Sequence, residues 1–281
     1  MRGGDRHASR WPAAGASGAA NDAVDLSCGL SDKERMEPTG LILGALGLAL
    51  GGVLKGATGA GAPLLAVPLL AMFYDVPLAV ALFTLPNLMS NVWQGWRFRA
   101  HQLGPALTWG FALAGAAGAG VGSAILVSLS SDFLVLGVAG AVFLYIAFRL
   151  ARPDWALDLG VAARLAAPAG FLGGVLQGAV GISAPVSISF LNATKMDRLA
   201  FIATISVFFA AMSLVQIPLL AAWGVLTPER ALLSALAILP LIAGMPLGAF
   251  LARRMSKTFF DRLILGLLAL IAARLVIGVL A

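Results

Sequence analysis

Two stretches of this chain are copies of each other, and both interrupt a long apolar run. Residues 51–63 read GGVLKGATGAGAP and residues 173–185 read GGVLQGAVGISAP, with nine of thirteen positions identical at an offset of 122. Each copy lies inside an apolar stretch, 39–73 and 165–193, that is longer than one membrane crossing needs. A spanning helix uses about 20 apolar residues. Backbone at membrane depth has no water to bond, so a glycine- and proline-rich break is tolerated only against protein or a wet cavity. Duplicated halves with interrupted helices in matching positions are a sequence pointer to a transport site.

Six further apolar segments, 77–96, 103–128, 131–150, 199–223, 229–251 and 259–280, each match a single span. The chain therefore divides into a first repeat at 39–150, a polar linker at 151–164 and a second repeat at 165–280. The fold expected is an all-α polytopic membrane protein. Each four-segment repeat opens with a Gly/Pro-broken hairpin followed by three transmembrane helices. Residues 1–37 are polar, with no apolar core of the kind a signal peptide has, and read as a disordered tail. Met36, just ahead of the first apolar segment, reads as an alternative start.

Composition agrees with lipid as the solvent. The chain is 60% hydrophobic and 11% charged, with mean hydropathy +0.93, whereas soluble domains carry about 25% charged residues. The net charge of +6 comes from loops between apolar runs, which makes it a topology signal. No aromatic-basic motif points to nucleic acid. Cys28 is the one cysteine, and His7 and His101 lie outside the apolar segments. Neither a disulfide, a metal site nor a cofactor is expected.

Basic residues discriminate between topologies. If each broken segment crosses once, they divide eight against six between the two faces. If each is a hairpin, the repeats are inverted and the division is eleven against three. The hairpin reading is preferred, with the basic loops cytoplasmic and both termini on the opposite face. Its arms, about 40–55 and 61–73, are short, so they are expected to dip to the midplane; two short full crossings would have the same parity.

The breaks carry the candidate site. Pro63 suits the first turn of a returning arm, where its missing N–H costs nothing. Gly59, Gly61, Gly178 and Gly181 permit tight turns and close backbone approach. Ser183 is placed to cap the second returning arm ahead of Pro185. Each returning arm would aim free N–H groups at the centre, which favours anions, and inverted repeats would bring the two tips together there. All seven acids after residue 37, Asp75, Asp132, Asp154, Asp158, Asp197, Glu229 and Asp261, fall at segment ends or in loops. The exceptional charge is Lys55, with Gln177 as its repeat partner. An intramembrane lysine reads either as a substrate contact or as a side chain that snorkels or caps the arm's last carbonyls. Thr58 lies in the same break. Asn87 and Asn91 either line a path or bond between helices. Ser213, on the corresponding span of the second half, reads as ordinary bonding between helices. Gly47/Gly51, Gly118/Gly122, Gly170/Gly174 and Gly244/Gly248 read as helix-packing pairs, and Trp93, Trp96, Trp109 and Trp223 as interface anchors.

The paired motifs GGVLKGATGAGAPLLAVPLL and GGVLQGAVGISAPVSISFLN, opening two four-segment halves, resemble the TauE/SafE sulfite-exporter family over about residues 39–280. The resemblance implies a bacterial inner-membrane permease for small anions such as sulfite, sulfonates or organic acids. Its motif residues map to Gly56, Gly59, Gly61 and Pro63, and to Gly178, Gly181 and Pro185. The chain departs from the family's glycine run at Ala60-Gly61-Ala62 and Ile182-Ser183-Ala184, which alters the tip shape. The partners expected are a small anionic substrate, the lipid bilayer and a second copy of the chain in a homodimer, and not nucleic acid. The reading is an anion carrier working by alternating access; an anion channel or a non-transporting scaffold of the same fold is the alternative. An intramembrane enzyme would need Asp or His within the apolar segments, and a metal-cation permease would need carboxylate, His or Cys ligands there. Those segments hold such residues only at their ends, at Asp132, Glu229 and Asp261, and none at depth.

Overall fold

The computed structural model describes residues 38–152 and 154–280, with no strand among them. The tail at 1–37 and the start at Met36 lie outside the described residues. The first half comprises α1 (Pro38–Thr58), α2 (Ala62–Ala71), α3 (Val76–Arg97), α4 (Pro105–Ser128) and α5 (Ser131–Ala151). The second comprises α6 (Leu159–Val180), α7 (Ser187–Ala193), α8 (Arg198–Ala222), α9 (Pro228–Leu236), α10 (Ile238–Arg254) and α11 (Lys257–Leu280). Eight helical stretches are long and apolar enough to cross a membrane, with α9 and α10 forming one 27-residue stretch. Leu113, Phe133, Leu144, Leu239, Leu270 and Ile277 are each more than half exposed, an outward apolar belt that lipid would cover. Trp93, Trp96, Trp109 and Trp223 are also exposed.

The carboxylates start helices. Asp75 accepts from Leu78 N at 2.8 Å, Asp158 from Gly160 N at 2.7 Å, and Asp197 from Leu199 N at 2.8 Å. Asp132 and Glu229 sit in first turns. An anion at a helix N-terminus meets free N–H groups and the positive end of the dipole. Asp75, Asp158 and Asp197 are therefore spent on capping at the ends of the spans.

Glycines in the left-handed region open both breaks, and the second runs on to Val186. Gly59 (φ 83°) and Gly61 (φ 91°) turn the chain between α1 and α2; Gly181 (φ 72°) ends α6. The returning helix α2 lies antiparallel on α1: a Cβ added at Gly44 would meet Leu70 and Tyr74, and one at Gly51 would meet Ala66. The expectation of two short arms is corrected. α1 has 21 residues and α2 has 10; α6 has 22 and α7 has 7. At about 1.5 Å per residue, the first arm of each hairpin is long enough to cross and the second reaches about half as far or less. Glycine weakens a helix interior by only about 0.5–1 kcal/mol. The glycines of α1 offset that by close packing, so the helix runs on past Lys55.

Glycine seams join the halves. On α4 and α6, a Cβ added at Gly118, Gly122, Gly170 or Gly174 would collide with the carbonyl oxygen of Phe171, Val175, Phe111 or Gly115 respectively. On α1 and α10, Gly52, Gly56, Gly244 and Gly248 stand in the same relation to Leu241, Met245, Ala49 and Val53. Residue numbers rise together along both seams, so each pair is parallel. Three of the four packing pairs read from sequence lie in these seams; Gly47 and Gly51 pack on α2 instead. By contrast α3 and α8 are antiparallel: Asn87 bonds Ser213, while Gln94 meets Ser206. Pro86 within α3 leaves the Leu82 carbonyl without its helical donor, and Ser234 Oγ of α9 donates to that oxygen at 2.9 Å.

Candidate functional site

Lys55 lies in the last turn of α1 and is 1% exposed. Its Nζ donates to Asn91 Oδ1 at 2.7 Å. Asn91 Nδ2 in turn donates to Asn87 Oδ1 at 2.8 Å, and Asn87 Nδ2 to Ser213 Oγ at 3.1 Å. These four residues form one buried chain across α1, α3 and α8. Among the described residues no carboxylate pairs with Lys55. An amine held this deep against a neutral amide is left without a counter-charge, which is costly in an apolar interior. The alternative reading of Lys55 is therefore set aside. It does not snorkel, because it is buried. It does not cap the end of α1, because another cation does so: Arg198 Nη2, from α8, donates to the carbonyls of Ala57 at 2.9 Å and Gly56 at 3.4 Å.

The other residues of the first break divide by task. Thr58 is exposed and its hydroxyl bonds within the tip, to the carbonyls of Leu54 and Ala60. Gly59 packs against Ile202 of α8, and Pro63 occupies the first turn of α2. Gly56 belongs to the α10 seam. In the second break, Gln177 is 2% exposed and its Oε1 has no partner. Gly178 packs into the α4 seam, and its carbonyl accepts from Gln216 Nε2 at 3.3 Å. Gly181 packs against Val67 of α2 and Val80 of α3.

Ser183 departs from its expected role. α7 begins at Ser187, and the Ser183 carbonyl, not its hydroxyl, accepts from Val186 N at 3.0 Å and Ser187 N at 2.8 Å. Pro185 has no N–H at the position a capping hydroxyl would reach, so the backbone oxygen takes the next donors. The Ser183 hydroxyl pairs with Ser187 Oγ at 2.9 Å.

The two tips do not touch in the way expected. The first lies beside Arg198 at the start of α8, and the second beside Val80 near the start of α3. Since α3 and α8 are antiparallel, the tips are displaced toward opposite faces. The Lys55–Asn91–Asn87–Ser213 chain lies between them. Sequence reasoning read Ser213 only as ordinary bonding between helices, without its partner, and missed Arg198. Ser213 looks like any other serine on a span, and Arg198 bonds 141 residues away, which no local pattern encodes.

Two cavities flank the buried chain. One of about 640 Å³ is lined by Thr58, Gly61, Arg149, Asn192, Lys195, Arg198 and Asp261. It lies where α1, α5, α7 and α10 end and where α8 and α11 begin, the face that also carries the basic loops. Arg149 and Asp261 form an ion pair there at 2.8 Å. The other cavity, about 300 Å³, is mainly apolar, lined by Leu41, Tyr74, Leu78, Leu233 and Pro240 with Glu229 and Arg230. It lies at the opposite ends of α1 and α10, beside the start of α3 and α9. Lys55 lines neither. Among the described residues no three His, Cys, Asp or Glu side chains converge.

A family model described as Sulfite exporter TauE/SafE matches residues 43–275, most of the chain. Neither the curated proteins nor the solved structures contain a match to it.

Proposed function

The chain belongs to the TauE/SafE sulfite exporter family, and on that premise we propose that it is an alternating-access carrier of small anions, of the sulfite, sulfonate or organic-acid type. One observation carries this reading: Lys55 is a buried amine with an amide partner and, among the described residues, no counter-charge. An anion is the ligand that such a group lacks. The substrate site is the buried chain between the tips, with Lys55 as the charge and Asn91, Asn87 and Ser213 as neutral bonding partners. Gln177, whose Oε1 lacks a partner, is the candidate contact from the second half. The remaining tip residues, Thr58, Gly59, Gly61, Pro63, Gly178, Gly181, Ser183 and Pro185, shape the turns around that site.

The antiparallel α3 and α8 and the two parallel glycine seams support reading the halves as inverted repeats. The cavities on opposite sides of Lys55 support two access routes to one site. The excess of basic residues at the face of the larger cavity supports placing that face in the cytoplasm of a bacterium, in its inner membrane.

The test is uptake of labelled sulfite into proteoliposomes, with sulfoacetate, sulfate and acetate as competitors, for the wild type and Lys55→Gln. Saturable uptake with counterflow is expected. Lys55→Gln should lower it roughly tenfold or more, since a bond to a charged group is worth about 1.5–3 kcal/mol and about 1.4 kcal/mol is a factor of ten. Linear flux without counterflow would make the protein a channel. Unchanged uptake in Lys55→Gln would remove Lys55 from the site.

A further inference from the structure

The larger cavity contains a feature that substrate binding at Lys55 does not explain. Lys195 has φ 52°, and it is the one non-glycine residue in the left-handed region among the described residues. It lies just past Thr194, the C-cap of α7, and its N–H bonds the Asn192 carbonyl at 3.2 Å. A chain reversal of this kind is normally given to glycine or asparagine, because a Cβ is disfavoured there. Lysine improves neither the turn nor the packing, since it is exposed. What it adds is a charge at the cavity wall. Residues kept in sparsely populated backbone regions gather at functional sites.

The charge balance of the cavity points the same way. Its ionic lining is Arg149, Lys195, Arg198 and Asp261. Arg149 and Asp261 neutralise each other at 2.8 Å. Arg198 and Lys195 remain as surplus positive charge. The nearby Asp197 carboxylate is engaged with the N–H groups of Leu199 and Ala200. The last carbonyls of α1 carry the negative end of its dipole toward this space, and Arg198 covers two of them. Without Arg198 the first tip would repel an anion.

We propose that this cavity is an oxyanion docking site, distinct from Lys55, in which Lys195 and Arg198 are the anion's ligands. The class of ligand is a small sulfonate or similar oxyanion. Docking competes for the Arg198 guanidinium and so loosens its hold on Gly56 and Ala57 at the tip. The proposal deepens the anion-carrier reading, which gives the site its purpose, but its geometry does not depend on transport.

The test needs no transport. In a Cys28→Ser background, Thr58→Cys places a single thiol in the cavity. Its modification rate is measured with an anionic sulfonatoethyl and a cationic trimethylammonioethyl methanethiosulfonate. Asn192→Cys serves as a second reporter should Thr58→Cys disturb the tip. Focused charge in a cleft raises encounter rates by about ten-fold or more. The anionic reagent should therefore be favoured, and Lys195→Gly should lower the anionic-to-cationic ratio by roughly the same factor. Sulfate or sulfoacetate should slow the anionic reaction more than sodium chloride at equal ionic strength. Lys195→Gly should also leave the thermal unfolding temperature unchanged or raise it, because glycine relieves the turn. An unaltered ratio in Lys195→Gly, or protection by chloride equal to that by sulfate, overturns the proposal. So does a fall in unfolding temperature, which would make Lys195 a structural residue. A protein that passes these tests yet moves no anion in proteoliposomes would keep the docking site and lose the carrier reading.

Discussion

At Lys55 the interior of the protein holds an amine, one of its largest fully buried side chains. Nζ has the Asn91 amide oxygen at 2.7 Å and, among the described residues, no carboxylate. The two partners are unequal. Removing the lysine leaves a neutral acceptor unsatisfied, at a cost of about 1–3 kcal/mol. Removing the amide leaves the buried amine with no partner at all, which costs more than an unpaired neutral group. Asn91→Leu should therefore lower the unfolding temperature in detergent more than Lys55→Met does. The double variant Lys55→Met/Asn91→Leu should recover part of the loss, since the Asn87 amide oxygen still lacks its Asn91 donor, with the coupling read from the double-mutant cycle. Equal single effects that simply add would mean that the pair is not energetically joined. The lysine itself was legible in the sequence, because a charge inside an apolar run stands out. Its partner was only half legible. Asn91 sits among several polar residues on one span, and nothing local distinguishes it from Ser90 or Gln94. The bond to Lys55 depends on how α1 and α3 lie side by side.

The helices owe their placement to glycine seams more than to apolar pattern, since lipid is as apolar as leucine and does not drive helices together. At Gly174 on α6 an added methyl would meet the Gly115 carbonyl and Ala119 N, both fixed backbone atoms. Gly174→Ala should cost about 1–3 kcal/mol through overpacking, seen as a lower unfolding temperature. Gly140 on α5 is a control of opposite sign, since a Cβ there meets nothing within 4 Å. Gly140→Ala should be neutral or stabilise by up to about 1 kcal/mol, as alanine does in a helix interior. If both substitutions behave alike, the seams do not hold the bundle. The seams were legible as small residues four apart. The length of α1 was not. Its glycines read as a break from Lys55 onward, whereas packing against α2 and α10 keeps the helix intact to Thr58, and only the positive φ at Gly59 and Gly61 ends it. The same spacing of glycines thus serves both helix contact and turn, and only the neighbouring helix decides which.

On the scale of the whole molecule, one ion pair among the described residues joins the two halves at the mouth of the larger cavity. Arg149 ends α5 in the first half and Asp261 begins α11 in the second, 2.8 Å apart and each about one-third exposed. A pair so accessible is worth only about 0.2–1 kcal/mol, too little to matter for folding. Its effect on a balance between two arrangements of the halves would be larger in proportion. About 0.5–1 kcal/mol changes a two-state ratio roughly two- to five-fold. The present arrangement contains the pair together with the large cavity beside Asn192, while the smaller apolar cavity beside Leu233 lies at the other face. Breaking the pair should favour the alternative arrangement, in which the larger cavity closes and the smaller opens. In the Cys28→Ser background, Arg149→Ala should slow labelling of Asn192→Cys by a neutral maleimide and speed labelling of Leu233→Cys, by two- to five-fold in the ratio. The unfolding temperature should stay within a degree or two of the parent. A neutral reagent is needed, because loss of the arginine also changes the local field. Rates that move together would indicate loosening of one protein state. Rates that move in opposite directions require two states in exchange, with the halves turning about the buried chain that joins α1, α3 and α8.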